Sequence, residues 1–318
     1  MDGQRRAAVL LLVCSLGCAS TQKPASVLER REYEVSSDSI MLHVWTQGPT
    51  DAANTLVVLS GGAGLSHDYM DPVRALVGPD LRFVTFDQRA VGRSGSPPMK
   101  DGKFDPATFR IDDYIADLDA VLNSLPRTRI HLLGHSWGGF YALAYTARRP
   151  DKIASLILVD SLVPDSKTAE EGIKRFSARQ KQLQALQLIP DPIPKAVGDD
   201  CMPNIAAKLP AYFSDPSLPI DPEFKATKCR SGVNGATFQA LGEWDITKDL
   251  AVLTLPVLVV FGANDPFGGR EWADDIAQAL THARVTRVIL PVCGHFPQSE
   301  CPEPFFITVR QFLKSSRI

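Results

Sequence analysis

The residues of this chain best suited to covalent chemistry stand at Gly134-His135-Ser136-Trp137-Gly138-Gly139. The stretch fits G-x-S-x-G, in which a tight strand-to-helix turn lifts a serine hydroxyl clear of its neighbours. The sequence supplies that context: Arg129 to Leu133 reads as a buried strand, and Trp137 to Arg149 as a helix stopped by Pro150. Side chains at the glycine positions would crowd such a turn. The turn also leaves the Trp137 N–H at a helix N-terminus, facing negative charge that develops on a substrate oxygen.

A serine hydroxyl is a poor nucleophile without a base. For a serine so placed, an acid and then a histidine follow later in the chain. His295, in Cys293-Gly294-His295-Phe296, follows the last strand on a glycine loop and is the candidate base. His43 and His131 fall inside strands and read as structural, and His135 adjoins the serine but points away from its hydroxyl. His282 ends a helix, and His67 reads as polar surface. Asp265, in Gly262-Ala263-Asn264-Asp265-Pro266, follows the penultimate strand and is the candidate acid, with an Asx-turn role as the plainer alternative. Asp245 and Asp249 precede that strand, at the wrong end of a sheet for the role. A second oxyanion donor is expected from Leu59-Ser60-Gly61-Gly62-Ala63-Gly64, where missing side chains let a backbone N–H approach a substrate; by position it is Gly62.

Elements must position these residues. Residues 31–35 and 40–46 alternate like a strand pair around Ser37-Asp38. Apolar runs at 55–59, 81–86, 129–133, 153–159, 257–261 and 285–290 read as buried strands. Ile111, Tyr114, Ile115, Leu118, Val121 and Leu122 recur at helical spacing, and a last helix covers 303–314. Strand and helix alternating in this way imply a mostly parallel sheet covered on both faces. The alternation fails over 163–250, where a helical stretch at 174–188 precedes dense prolines and no strand is evident. That segment reads as a helical cap inserted between two strands, at the sheet end where open α/β sheets bind ligands. The organisation expected is therefore a core of residues 30–162 and 251–318 with a cap over 163–250.

These pieces resemble the α/β-hydrolase superfamily over about residues 30–315, and within it the proline iminopeptidase-like serine peptidases. Ser60-Gly61-Gly62-Ala63-Gly64 is similar to that family's His-Gly-Gly-Pro-Gly, with Ser60 and Ala63 in place of His and Pro. Asp87-Gln88-Arg89-Ala90-Val91-Gly92-Arg93-Ser94 is similar to its Asp-Gln-Arg-Gly-x-Gly-x-Ser, with Ala90 in place of Gly. Tryptophan after the serine also resembles the family's elbow. The resemblance implies removal of an N-terminal residue, often proline, whose ammonium is held by acidic cap residues. Glu170, Glu171, Glu223, Glu243 and Asp245 lie in the expected cap. Glu243 is the candidate among them, and solvated surface is the alternative for each. Asp87 and Arg89 are expected to act as a structural pair bracing the oxyanion loop.

The chain begins like an export signal. Arg5 and Arg6 precede an apolar run from Ala7 to Val13, and small residues follow. Cys18 after Ser15-Leu16-Gly17 resembles a bacterial lipobox, which implies cleavage after residue 17, a lipid-bearing Cys18 as membrane anchor and a tether over 18–29. Cleavage after Ala19 is the rival. An oxidising compartment would pair the remaining cysteines, and nearest neighbours give Cys201–Cys229 and Cys293–Cys301, with four free thiols as the alternative.

Over 318 residues, Lys and Arg number 34 against 36 Asp and Glu, a net charge of −2 that leaves no basic excess for nucleic acid. No histidine pair sits beside a carboxylate at metal-ligand spacing on one helix, so neither metal nor cofactor is expected. The reading is an exported serine hydrolase, by the resemblance an aminopeptidase of the proline iminopeptidase type acting on N-terminal residues of peptides, with a carboxylesterase on small esters as the alternative. A catalytically inactive binding protein on the same fold is the rival of another class.

Overall fold

The computed structural model describes residues 29–126 and 129–316. The proposed signal, Cys18 and all of the proposed tether except Glu29 lie outside these residues.

Eight strands form one sheet: β1 (Arg30–Ser37), β2 (Ile40–Gln47), β3 (Asn54–Leu59), β4 (Leu81–Phe86), β5 (Ile130–His135), β6 (Ile153–Val159), β7 (Pro256–Gly262) and β8 (Arg284–Leu290). Their spatial order is β1-β2-β4-β3-β5-β6-β7-β8. Only the β1–β2 and β2–β4 pairings are antiparallel. From β4 through β3 to β8 every pairing is parallel. The central strands β3, β5 and β6 are wholly buried and carry long apolar runs, as in Leu-Val-Val-Leu of β3 and Leu-Ile-Leu-Val of β6. The edges differ. β1 and β8 carry Arg30, Arg31, Glu32, Arg284 and Arg287 at exposed positions, charges that discourage pairing with another chain.

Helices cover both faces. Helices α1 (Ile111–Asn123) and α2 (Trp137–Arg148) lie in the connections before and after β5. Between β6 and β7 the chain forms α3 (Ser166–Ala185), α4 (Met202–Tyr212), α5 (Pro222–Ala226), α6 (Val233–Leu241) and α7 (Thr247–Leu250). The first of these starts eight residues earlier than the periodicity indicates. There the Asp165 side chain accepts from the Thr168 N–H at 2.9 Å and caps the helix. Helix α8 (Arg270–Ala279) joins β7 to β8, and α9 (Pro297–Glu300) and α10 (Pro302–Ser315) end the described chain. A two-stranded hairpin at Met99–Lys100 and Lys103–Phe104 was not visible as a hydrophobic pattern, since these strands are two residues long. No helix of the described residues is long and apolar enough to cross a membrane.

Both cysteine pairs lie at disulfide distance in the nearest-neighbour scheme, Cys201 with Cys229 and Cys293 with Cys301.

Candidate active site

The parallel strands all point their carboxyl ends at one edge of the sheet, and the candidate residues sit on the loops that leave them. Ser136 follows β5 directly and precedes α2. Its backbone is held at φ 56°, ψ −122°, a region L-residues avoid and that costs on the order of 1–3 kcal/mol. Close packing enforces it: a Cβ on Gly134 would meet the Gly138 carbonyl oxygen at 2.1 Å. The Ser136 carbonyl accepts from Leu162 N–H at 3.0 Å, tying the turn to the chain after β6. Trp137 is the first residue of α2, where the helix supplies no acceptor for its N–H.

The loop after β3 runs beside the serine. A Cβ on Gly61 would lie 2.7 Å from the Ser136 Cβ, so only glycine allows this approach. The Gly61 N–H is consumed by the Tyr69 hydroxyl in a short hydrogen bond. Gly62 turns with φ +48°, and no protein acceptor among the described residues takes its N–H.

His295 follows β8. Its Nδ1 lies 2.9 Å from Asp265 Oδ2, and both side chains are buried. The other oxygen of Asp265 accepts from Phe267 N–H at 2.9 Å. The histidine loop has further anchors. The His295 N–H donates to the Tyr212 carbonyl at 3.0 Å. The Glu300 carboxylate accepts from the N–H groups of Gly294, Phe296 and Ser214 at 2.7–3.0 Å. Burial raises the Glu300 pKa, opposed by those donors.

His135 makes a connection that the sequence did not indicate. Its Nε2 lies 2.7 Å from the His295 carbonyl oxygen, which can only accept, so Nε2 carries the proton. Nδ1 then accepts from the Tyr69 hydroxyl at 2.9 Å. A chain of buried bonds thus runs from Gly61 N–H through Tyr69 and His135 to the backbone of His295. Burial first, and the neighbouring His295 second, push the His135 pKa down to about 3, which keeps the ring neutral as this chain requires.

Asp160, after β6, was not among the sequence candidates. It is fully buried at φ 40°. Its Oδ1 accepts from Gly262 N–H at 2.9 Å, while no N–H among the described residues donates to Oδ2. One oxygen of Asp160, one of Asp265 and a ring nitrogen of His295 lie within 4.8 Å of one another. Two carboxylates this close in a buried site do not both ionise. Burial, then the Asp265 charge, hold the Asp160 pKa well above the ordinary carboxylate range. Burial also works to raise that of Asp265, but His295 and a hydrogen bond from Asp160 outweigh it and leave it lowered. Both shifts place the proton on Asp160, which donates it in the side-chain hydrogen bond to Asp265. These three residues have ligand-like spacing, and within the group Asp265 and His295 are bonded to each other.

Two sequence expectations are corrected. His67 is buried and not surface: it stacks on Trp45 with ring centroids 3.9 Å apart and bonds through Nδ1 to Asp87 Oδ1 at 2.9 Å. Asp87 and Arg89 do not pair with each other. Asp87 holds His67 and accepts from Arg93 N–H at 2.8 Å, whereas Arg89 forms a bidentate pair with buried Asp117, both bonds 2.8 Å. Gln88 between them is the residue that braces the loop. It donates to the Ser60 carbonyl at 2.7 Å and accepts from the Trp137 indole at 3.0 Å. Ala90 adopts φ 65°, which explains why the resembling motif has glycine there.

A cavity of about 610 Å³ opens over these loops. Gly62, Ser136, Trp137 and His295 line it, with Asp265 behind His295. Its far wall comes from the segment between β6 and β7, including Phe176, Tyr212 and Phe238 on helices and Trp244 on the loop after α6. Glu243 is exposed and does not line the cavity, so the structure does not bring it to the site. The wall is joined to the oxyanion loop. Residues 64–66 and 228–230 exchange backbone bonds, Ser66 N–H to Lys228 O and Arg230 N–H to Gly64 O, each 2.9 Å.

A family model described as alpha/beta hydrolase fold matches residues 54–302. The chain is similar to the proline iminopeptidase of Lactiplantibacillus plantarum, with 27% identity covering 70% of this chain and 81% of that protein. It is also similar to a putative carbamate hydrolase, RutD, of Variovorax paradoxus, with 28% identity over 80% of this chain and 89% of that one. Among solved structures, a proline iminopeptidase from Mycobacterium smegmatis matches with a TM-score of 0.68 at 21% identity, covering 90% of this chain and 99% of that one; this is a likeness of fold.

Proposed function

We propose that this chain, which belongs to the alpha/beta hydrolase fold family, is a serine hydrolase that splits carboxylic esters through an acyl-enzyme. The observation that carries the reading is the strained Ser136 turn sharing one cavity with His295, whose Nδ1 is bonded to Asp265. With Nδ1 donating to Asp265, Nε2 of His295 is the nitrogen left to take a proton. Ser136 Oγ attacks the substrate carbonyl as its proton passes to His295. The carbonyl oxygen gains charge and is held by the N–H groups of Gly62 and Trp137. Imidazolium, stabilised by Asp265, protonates the leaving alcohol, and water repeats the sequence to release the acid. Asp160 keeps its own proton and leaves Asp265 as the anion.

The choice of ester over peptide rests on the cavity wall. A free N-terminal ammonium needs an anion beside it, and among the described residues no carboxylate side chain lines the cavity. The peptidase reading keeps the support of the relatives' names and of the Asp87-Gln88-Arg89 motif. The leader-like start and the two cysteine pairs support export, with Cys18 as the proposed anchor.

The test compares mature protein with Ser136→Ala on short p-nitrophenyl esters beside prolyl and other aminoacyl arylamides. Ester turnover that falls by about 10⁴-fold or more in Ser136→Ala is expected. Arylamides turned over faster than esters would restore the peptidase. No turnover and no labelling of Ser136 by a fluorophosphonate would leave the binding-protein reading.

A further inference from the structure

The wall of the cavity says more about the substrate than the absence of an acid. Helix α4 turns one face toward the site: Cys201 at its cap, then Asn204, Ile205, Lys208, Leu209 and Tyr212 all line the cavity. Their spacing of three and four residues is that of one helical stripe. Lys208 is the charged member of the stripe, flanked by apolar side chains. It is half-buried, and among the described residues it has no hydrogen-bond or ion-pair partner. Burial with nothing opposing it pushes its pKa below the ordinary lysine value. Lys195 and Arg230 line the same cavity. Arg230 is already engaged, over the Phe104 ring at 5.0 Å and toward Asp199.

A lysine held partly out of water without an anion is an unfavourable arrangement, and one that an anionic ligand can relieve. We propose that Lys208 is the recognition residue for a second, anionic group on the substrate, so that the enzyme prefers esters bearing a carboxylate at one end and the scissile carbonyl at the other. The proposal rests on the reading of the cavity as the ester site. It also accounts for the wall's aromatic character: apolar side chains pack the chain between the two polar ends, and the cation fixes its direction. A positively charged N-terminus would be repelled at the same position.

The experiment measures kcat/KM for matched pairs of esters. p-Nitrophenyl hemiglutarate is set against p-nitrophenyl butanoate, placing the charge on the acyl side. 4-Carboxyphenyl butanoate is set against phenyl butanoate, placing it on the alcohol side. The expected result is a preference of about tenfold for the charged member of one pair, falling to about one in Lys208→Met. The pair that shows it tells which side of the scissile bond faces α4. Equal use of charged and neutral members in both pairs, or a preference that survives in Lys208→Met, overturns the proposal. Glutarate binding gives a second measurement that needs no turnover. Glutarate should raise the melting temperature of the wild type and of Ser136→Ala but not of Lys208→Met. If Ser136 resists fluorophosphonate labelling while glutarate still binds through Lys208, the hydrolase reading falls and the anion site stands. If labelling succeeds and glutarate leaves all three melting temperatures unchanged, the anion site falls alone.

Discussion

The two sides of the cavity are built differently. On the sheet side the candidate groups are fixed from several directions: the Ser136 turn by packed glycines, Gly61 beside it by Tyr69, the His295 loop by hydrogen bonds to His135, Tyr212 and Glu300. On the helix side Lys208 has no hydrogen-bond or ion-pair partner among the described residues and stands between apolar side chains of α4. Groups that must sit within a fraction of an ångström of the reacting atoms are over-determined, whereas the group facing the variable part of a substrate is free to respond to it.

Acid should strain the sheet side first. His131, inside β5, bonds Ser155 and Asn54, and burial pushes its pKa down to about 4; His135 behaves alike, at about 3. Both values lie below the unfolded value of about 6.5, so the unfolded chain binds more protons between the two. Their contribution to stability is whole above pH 6.5 and is lost as pH falls toward 4. Asp160 acts in the opposite sense, so the histidine effect shows as a difference between wild type and a variant. The stability of the wild type relative to His131→Asn is expected to shrink by about 1.4 kcal/mol per pH unit over that window, as read by urea unfolding. A difference independent of pH would show that His131 is solvated.

Asp160 tests the same side more finely. Asp160→Asn still donates to Asp265 and is expected to keep kcat/KM within about threefold, whereas Asp160→Ala should lose about tenfold. In the alanine variant Asp265 loses a donor and holds imidazolium more strongly. The acid limb of the pH–rate profile therefore moves to higher pH, a shift that mere loosening of the fold would not give. Equal profiles for the two variants would remove Asp160 from the charge arrangement.

The smallest effect is expected from reduction. Cys293–Cys301 closes the loop that carries His295, but Glu300 and His135 hold the same loop. Verified reduction should therefore lower ester turnover by no more than about threefold, while thermal stability falls, since each bridge restricts the unfolded chain by a few kcal/mol, about 3. A loss of activity as large as that of Asp160→Ala would make the disulfide the main support of the loop.

The sheet was legible because its strands are continuous apolar runs, each found within two residues of its position. Ser136, Asp265 and His295 were legible for a related reason: each follows a readable strand on a loop punctuated by glycine or proline. What escaped depends on contacts that are distant in sequence. Nothing local marks His67 as buried, because Trp45 and Asp87 bury it. Asp160 looked like an ordinary residue at a strand end, and its importance comes from Asp265, over a hundred residues later. Helix α4 was hidden by Pro203 and Pro210, which read as breaks but occupy its first and last turns. With α4 unseen, Lys208 had no face to belong to.

Residues 64–66 and 228–230 form one seam, although more than 160 positions separate Ser66 from Lys228 along the chain. Exchange of the helical segment as a block, by recombination or by design, would cut that seam. The new helices would bring their own substrate wall but no partner for the loop that ends in the oxyanion donor. On the proposed reading, specificity is inherited as a discontinuous unit: the helices travel with the seven residues Ser60 to Ser66 after β3, and a graft that omits them is expected to bind its new substrate and turn it over poorly.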